Sequence, residues 1–232
     1  EYKKALMFNP SNGNIYFEIG LTYRNKREYA IAAEWLGKAM ENGFNKQKVS
    51  VEIMETHRDS GEYDLVIEEL KILHKMDPSN GNYYVDLGDI YSRKKEYDLA
   101  MKEFQKAHDA GIDTAELHLG LGKAYCQTGE FDLALKEFES VLKIDPSGGE
   151  IHFEIGYVYE SKKEYDLAIK EFKEAIEKGF DNENVPIELG RTYQLSKGLD
   201  FAPFGLSPPH KGTRPPGSQG EDSAIAEYKK AL

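Results

Sequence analysis

Two histidines, His118 and His152, stand out first because they fall at equivalent places in two similar segments, and imidazole rings can bind metal ions or act as general bases. A metal site needs three or four ligands in a fixed geometry, and no third ligand keeps the spacing of this pair. The chain has one cysteine, Cys126, and six histidines in all. We therefore expect His118 and His152 to be packing residues, and we expect no metal and no cofactor.

Catalytic groups of other kinds are equally hard to assemble from this sequence. No Ser or Cys lies within a recognisable nucleophile motif, and the glycines recur at regular intervals instead of forming a phosphate-binding loop. Paired acids such as Glu68 and Glu69 have no opposing partner that the sequence can place. The sequence therefore predicts that the chain is not an enzyme.

The elements that carry these residues follow a strict period. The segments 18–44, 86–112 and 154–180 are visibly similar and evenly spaced, and the related segments 52–78 and 120–146 lie midway between them. The period of the repeat, which is the step from 18 to 52 and from 52 to 86, is therefore 34. Each unit contains two stretches of about a dozen residues with helical apolar spacing, joined by a polar turn. This pattern predicts a row of helical hairpins.

The same residue types return at fixed positions of the unit. The eighth position is glycine in five units, the eleventh is tyrosine and the twentieth is alanine. The second unit differs most, with Met54, His57 and Val66 at these positions. The sets are Gly20, Gly88, Gly122, Gly156 and Gly190; Tyr23, Tyr91, Tyr125, Tyr159 and Tyr193; and Ala32, Ala100, Ala134, Ala168 and Ala224.

A period of 34 with these markers closely resembles the tetratricopeptide repeat (TPR) family. The resemblance implies an all-α fold, a right-handed α-solenoid of about six helical hairpins. We divide the array into a partial repeat at 1–10, full repeats at 13–46, 47–80, 81–114, 115–148 and 149–182, and a last repeat split between 183–198 and 221–232. Because the six letters EYKKAL both open and close the sequence, we expect it to be a stretch of a longer array.

The repeats end in two alternating ways. Pro10, Pro78 and Pro146 end one set, because proline cannot donate the next helical hydrogen bond. Gly43, Gly111 and Gly179, each followed by an apolar residue, end the other set, because glycine readily adopts a left-handed conformation. The array is therefore predicted to be built from blocks of two repeats.

An insert at 199–220, rich in proline and glycine, separates the two helices of the last hairpin. Three interpretations stay open: a loop with no role, a docking motif for a proline-reading partner, or an apolar segment that folds onto the protein's own groove. The docking motif would use Pro208, Pro209, Lys211, Arg214, Pro215 and Pro216, and the apolar segment would use Phe201, Phe204 and Leu206.

Composition narrows the classes of partner. The chain has 232 residues, 40% of them hydrophobic, and its net charge of −11 repels nucleic-acid phosphates and anionic lipid headgroups. We therefore expect no nucleic acid and no membrane surface as a partner. No apolar run approaches the roughly 18 residues that a membrane span needs, so no membrane insertion is expected. A single cysteine fits a reducing compartment, which suggests the cytoplasm.

The family resemblance implies a concave surface lined by the first helix of each hairpin, where positions 5 and 9 commonly contact a bound peptide. Position 5 is always apolar here, whereas position 9 varies in charge. The apolar ladder is either a binding strip or packing between helices. The candidate binding residues are Phe17, Val51, Val85, Leu119, Phe153 and Ile187 at position 5, and Leu21, Glu55, Asp89, Lys123, Tyr157 and Arg191 at position 9.

Position 9 also predicts a polarity for the groove. Glu55 and Asp89, together with Glu52 and Asp86, make its early part acidic, while Lys123, Tyr157 and Arg191 lie later. We expect a bound segment to be basic towards the early repeats and acidic or neutral towards the later ones.

The predicted function is that of a non-catalytic protein–protein interaction module, a scaffold that binds a peptide segment or a partner helix in its concave groove. One alternative is a regulatory or substrate-recruiting region of a larger enzyme such as a glycosyltransferase. Another is a self-assembling scaffold whose arrays stack end to end.

Overall fold

The computed structural model describes residues 2–180 and 182–198, and these residues form helices joined by short turns. The insert at 199–220 and the second helix expected at 221–232 lie outside the described residues, so the three interpretations of the insert stay open. The described part contains no strand, and it has no helix that is both long and apolar enough to cross a membrane.

The described chain divides into two compact units, residues 2–113 and the described residues from Thr114 onwards, which we call unit 1 and unit 2. Unit 1 contains α1 (Tyr2–Phe8), α2 (Gly13–Asn25), α3 (Tyr29–Glu41), α4 (Lys46–Ser60), α5 (Tyr63–Met76), α6 (Asn82–Arg93) and α7 (Tyr97–Asp109). Unit 2 contains α8 (Ala115–Thr128), α9 (Phe131–Ile144), α10 (Gly149–Ser161), α11 (Tyr165–Glu177) and α12 (Asn184–Ser196).

Each full repeat supplies two consecutive helices that pack against each other, and the second helix of a hairpin also packs on the first helix of the following repeat within its unit. The apolar sides of these helices form the core. In unit 1 it includes Phe17, Leu36, Leu70 and Phe104, and in unit 2 it includes Phe138 and Phe172, each no more than 2% exposed. The helical hairpins predicted from the period of 34 are therefore present.

The two kinds of repeat ending have the predicted backbone. Gly43, Gly111 and Gly179 have φ angles of 78°, 83° and 75°, in the left-handed region. The amide that follows each glycine donates a hydrogen bond back to the last turn, for example from Phe44 to the Ala39 carbonyl at 3.0 Å. The apolar side chain then folds back onto the first helix, where the Phe44 ring stacks on Phe17 at 4.4 Å. At the other ending, α5 stops at Met76, two residues before Pro78.

Candidate functional site

His118 and His152 bind carboxylates within their own hairpins. Nδ1 of His118 lies 2.6 Å from Oε2 of Glu137, and Nδ1 of His152 lies 2.8 Å from Oε2 of Glu171. Each pair joins the first helix of a repeat to the second, and all four side chains are mostly buried. Both histidines are thus packed inside hairpins. Sequence reasoning missed their partners, although the two pairs share a sequence separation of 19, which was a usable signal.

The Cys126 thiol is likewise not available for chemistry. Burial and the nearby Glu154 carboxylate raise the pKa of the Cys126 thiol to about 12, so this thiol stays protonated near neutral pH. Within residues 2–180 and 182–198, no group of three or more His, Cys, Asp or Glu side chains is placed to hold a metal ion.

The candidate binding surface lies on the first helices of neighbouring repeats. We call the surface of α2, α4 and α6 the first-helix face of unit 1, and the surface of α8, α10 and α12 the first-helix face of unit 2. Ion pairs join these helices directly within each unit, because side chains near the end of one first helix reach the next one. Each face is therefore a surface that spans several repeats.

The apolar ladder at position 5 is mostly covered. Phe17 and Phe153 are only 2% and 7% exposed and belong to the core. Val85, Leu119 and Ile187 are half-buried. Val51 alone among the six is exposed, at 38%. The structure therefore favours packing as the main role of this ladder and leaves Val51 as its accessible member.

Arginines connect the repeats on the first-helix face of unit 1. Arg24 of α2 donates to Glu52 at 2.9 Å and to Asp59 at 2.8 Å, both on α4. Arg58 of α4 in turn donates to Glu55 at 2.9 Å and to Asp86 of α6 at 3.2 Å. These contacts join three consecutive repeats.

Two further residues complete the charge pattern of this face. Asp89 accepts a bond from Arg93 at 2.8 Å on its own helix. Burial raises the pKa of the Asp86 carboxyl above its ordinary value, because the charge on Arg58 only partly offsets the loss of hydration. Within the ion-pair network of this face, five carboxylates share three arginines, so the network keeps an excess of negative charge. The five acids are Glu52, Glu55, Asp59, Asp86 and Asp89.

The first-helix face of unit 2 uses the same arrangement with different residues. Nζ of Lys123 lies 3.1 Å from Glu150 and 3.2 Å from Glu154 of the following repeat. Burial alone would lower the pKa of Lys123, but the carboxylates of Glu154 and Glu150 outweigh burial and raise it. Glu150 and Glu154, at positions 2 and 6 of the following repeat, therefore both pair with Lys123.

Glutamates also surround the other two candidates in unit 2. The Tyr157 hydroxyl donates to Oε1 of Glu188 at 2.9 Å, and Arg191 binds Glu188 at 2.7 Å and also Glu160. Burial raises the pKa of Tyr157, and Glu188 reinforces the shift. Four glutamates therefore surround two cations on this face.

The polarity predicted for the groove stays a prediction, and the pairing of its later cations bears on it. Position 9 alone indicated acid early and base late, but Lys123 and Arg191 are already paired with acids of the adjacent repeat. Acids outnumber bases on both faces. Position 9 alone does not reveal these pairs, because the acids occupy positions 2, 6 and 12, mostly in neighbouring repeats.

The chain is similar to known repeat proteins. Residues 81–108 match the family model of the tetratricopeptide repeat, and residues 122–163 match a second model described as a TPR repeat. No curated protein matches the sequence.

Solved structures share the fold. A crystal structure of MamA protein is 26% identical, with a TM-score of 0.61 over 84% of this chain and 100% of that one. Another crystal structure of MamA is 29% identical, with a TM-score of 0.59 over 69% of this chain and 94% of that one. YrrB, a TPR protein with an unusual peptide-binding site, is 18% identical, with a TM-score of 0.58 over 84% and 97% of the two chains. The last likeness concerns the fold alone.

Proposed function

Because this chain is a tetratricopeptide repeat protein, with an all-α solenoid fold that supports protein–protein interaction, we propose that it is a non-catalytic module that binds a segment of a partner protein on its first-helix faces. The bound segment is an extended peptide or a helix that carries apolar and basic side chains. No bond is made or broken in this function.

The observation that carries the proposal is the pairing of an exposed apolar side chain with surplus negative charge in unit 1. Val51, Glu55 and Arg58 occupy one side of α4, at spacings of four and three residues. The Arg24 guanidinium reaches Glu52, Glu55 and Asp59 on the same helix. A ligand whose apolar side chain contacts Val51 would therefore place its neighbouring Lys or Arg close to these carboxylates. The carboxylates outnumber the arginines that pair with them, so they can accept a further cation.

Two polar side-chain atoms of α4 and α6 are buried beside this face. Nε of Arg58 and Oγ of Ser92 are buried, and neither has a hydrogen-bond partner within the described part of the chain. Both residues lie at the twelfth position of their repeats, on α4 and α6. Because both atoms are covered, a ligand carbonyl could accept from them only after these side chains move.

A peptide-binding experiment tests this function. Two fluorescent peptides of about twelve residues, one of Leu, Ser and Lys and the other with Glu in place of Lys, are titrated with the protein and followed by anisotropy. We expect the Lys peptide to bind about tenfold more tightly than the Glu peptide, since like charges oppose binding. A preference for the Glu peptide would contradict the proposal.

Variants locate the binding site. Val51→Ser and Asp89→Asn should each weaken binding of the Lys peptide by about fivefold, because each removes an accessible contact on the face. Asp109→Asn, the same chemical change at the end of α7, is the matched control and should leave binding unchanged. Phe17 and Phe153 are unsuitable probes because they lie in the core. Equal binding by the native chain and Val51→Ser would place the site elsewhere.

A further inference from the structure

Helix α5 is apolar on two sides. Val66, Leu70 and Leu73 are at most 1% exposed and pack into the core of unit 1. On another side, Leu65, Ile72 and Met76 are each 39% exposed. Their spacings of seven and four residues place them in one line along the helix. We call these three residues the α5 stripe.

The hairpin fold does not require Ile72, the central residue of the α5 stripe. Ile72 occupies the twenty-sixth position of its repeat, and the other full repeats have polar residues there, namely Lys38, Lys106, Ser140 and Glu174. The same hairpin is therefore built without an apolar side chain at this point. A solvent-exposed isoleucine in this repeat alone indicates a role outside the hairpin.

A row of charged residues runs beside the α5 stripe. Asp64, Glu68, Lys71 and Lys75 are all exposed, and their spacings of four, three and four residues keep them along one edge of the helix. The first half of this row is acidic and the second half is basic. None of the other four full repeats has two acids followed by two bases at these positions.

We propose that the α5 stripe is the contact through which two copies of this chain associate, with the two α5 helices antiparallel about a two-fold axis. In that arrangement, the α5 stripe of one copy contacts the α5 stripe of the other copy. The acidic half of each charged row meets the basic half of the other, so Glu68 of one copy faces Lys71 and Lys75 of the second. The surface is complementary to itself, as a two-fold interface requires.

The size of the surface sets the strength of this association. A helix of 14 residues is about 21 Å long, so the contact is smaller than the roughly 800 Å² per partner of a standard stable interface. The copies should therefore exchange between monomer and dimer. This side-by-side contact differs from an end-to-end stacking of arrays, which would not use α5.

Sedimentation equilibrium of the whole chain, from about 5 to about 500 μM, tests the proposal, because weak contacts of this size dissociate in that range. The native chain should form a dimer that dissociates on dilution. Ile72→Lys should weaken the dimer by at least about tenfold, since it places a charge in the apolar line. Lys38 and Lys106 occupy the same position in α3 and α7, so the hairpin accommodates lysine there.

Two controls show whether the effect is specific to α5. Ile144→Lys changes an apolar side chain that is 50% exposed on α9, and it should leave dimerisation unchanged. Val51→Ser should also leave it unchanged, which separates this proposal from peptide binding on the first-helix face. Circular dichroism melting of each variant shows that the helices are intact.

Exchanging the charges tests the antiparallel arrangement. Glu68→Lys alone should weaken the dimer by about tenfold, and so should Lys71→Glu alone, because each creates a like-charge contact between positions 68 and 71 in both halves of the interface. An equimolar mixture of the two variants restores both opposite-charge contacts. We expect the mixture to form a heterodimer within about threefold of the native strength.

Three results would overturn the proposal. The first is a native chain that remains monomeric across the whole concentration range, even if Ile72 then proves to bind a helix from another protein. The second is a dimer that Ile72→Lys does not weaken. The third is a charge-exchanged mixture that associates no better than either variant alone.

Discussion

At the scale of single residues, glycine at the eighth position of a repeat lets the two helices of a hairpin approach each other. A Cβ atom on Gly88 would lie 2.4 Å from Cε1 of Phe104, and one on Gly156 would lie 2.5 Å from Cε1 of Phe172. Both phenylalanines are at most 1% exposed, so neither ring has room to move outward. The small residue and the large ring therefore form one packing unit.

Replacing Gly88 by Ala should destabilise the protein by about 1–2 kcal/mol, because the cost of overpacking exceeds the gain in helix propensity. Gly37→Ala is the matched control, since Gly37 lies within α3 and a Cβ there would meet nothing within 4 Å. That control should gain about 0.5–1 kcal/mol. Urea denaturation measures both changes. Equal effects of the two substitutions would contradict this packing argument.

At the scale of elements, the turn between the two helices of a hairpin alternates along the chain. Gly61 and Gly129 have φ angles of 80° and 82° in one set of repeats. Arg27, Lys95 and Lys163 have φ angles of 62° at the same position of the other set. All five residues are left-handed, although only glycine adopts this conformation without strain. The alternation in blocks of two repeats is therefore present in the turns as well as in the repeat endings.

Gly61→Ala should destabilise the protein by about 1 kcal/mol, through the left-handed backbone alone, since a Cβ at Gly61 meets nothing within 4 Å. Lys95→Gly is the reverse change at the equivalent position. It should be neutral or stabilising by up to about 1 kcal/mol, because relief of strain offsets the greater entropy of the unfolded chain. Thermal unfolding followed by circular dichroism compares the two. A loss of stability in Lys95→Gly would contradict the expected relief of strain.

At the scale of the whole molecule, burial makes the ionisation of some carboxyl groups unfavourable. Burial raises the pKa of Asp86 in unit 1 and of Glu188 in unit 2, although an arginine pairs with each of them. A carboxyl whose pKa is raised by folding stabilises the folded state below its unfolded pKa. That contribution is lost as the pH rises through its folded pKa.

Asp86→Asn removes one of these titrations. Near pH 7 the variant should be at least as stable as the native chain, because asparagine is not ionised. This relative advantage should shrink as the pH falls, because the native carboxyl takes up its proton at a higher pH than an ordinary aspartate does. Urea denaturation of both chains across this pH range measures the difference. If the free energy of unfolding of the native chain rises relative to that of the variant as the pH rises, pairing with Arg58 outweighs burial.

The sequence by itself determined the local structure of this protein. The period of 34, the glycines at the eighth position such as Gly88, and the glycine endings such as Gly43 all predicted helical hairpins and their limits. They could do so because helix periodicity, left-handed glycine and close helix contact depend on residues within one repeat.

The tertiary structure alone decided which surfaces are available for binding. Position 5 contained the predicted apolar ladder, yet Phe17 is covered and Val51 is exposed, while Leu65, Ile72 and Met76 of the α5 stripe lie on a surface that the prediction did not consider. Arg24 and Lys123 likewise find their acids on the next repeat. Exposure and pairing depend on contacts between repeats, and the spacing of residues within one helix carries no information about which neighbour covers each side.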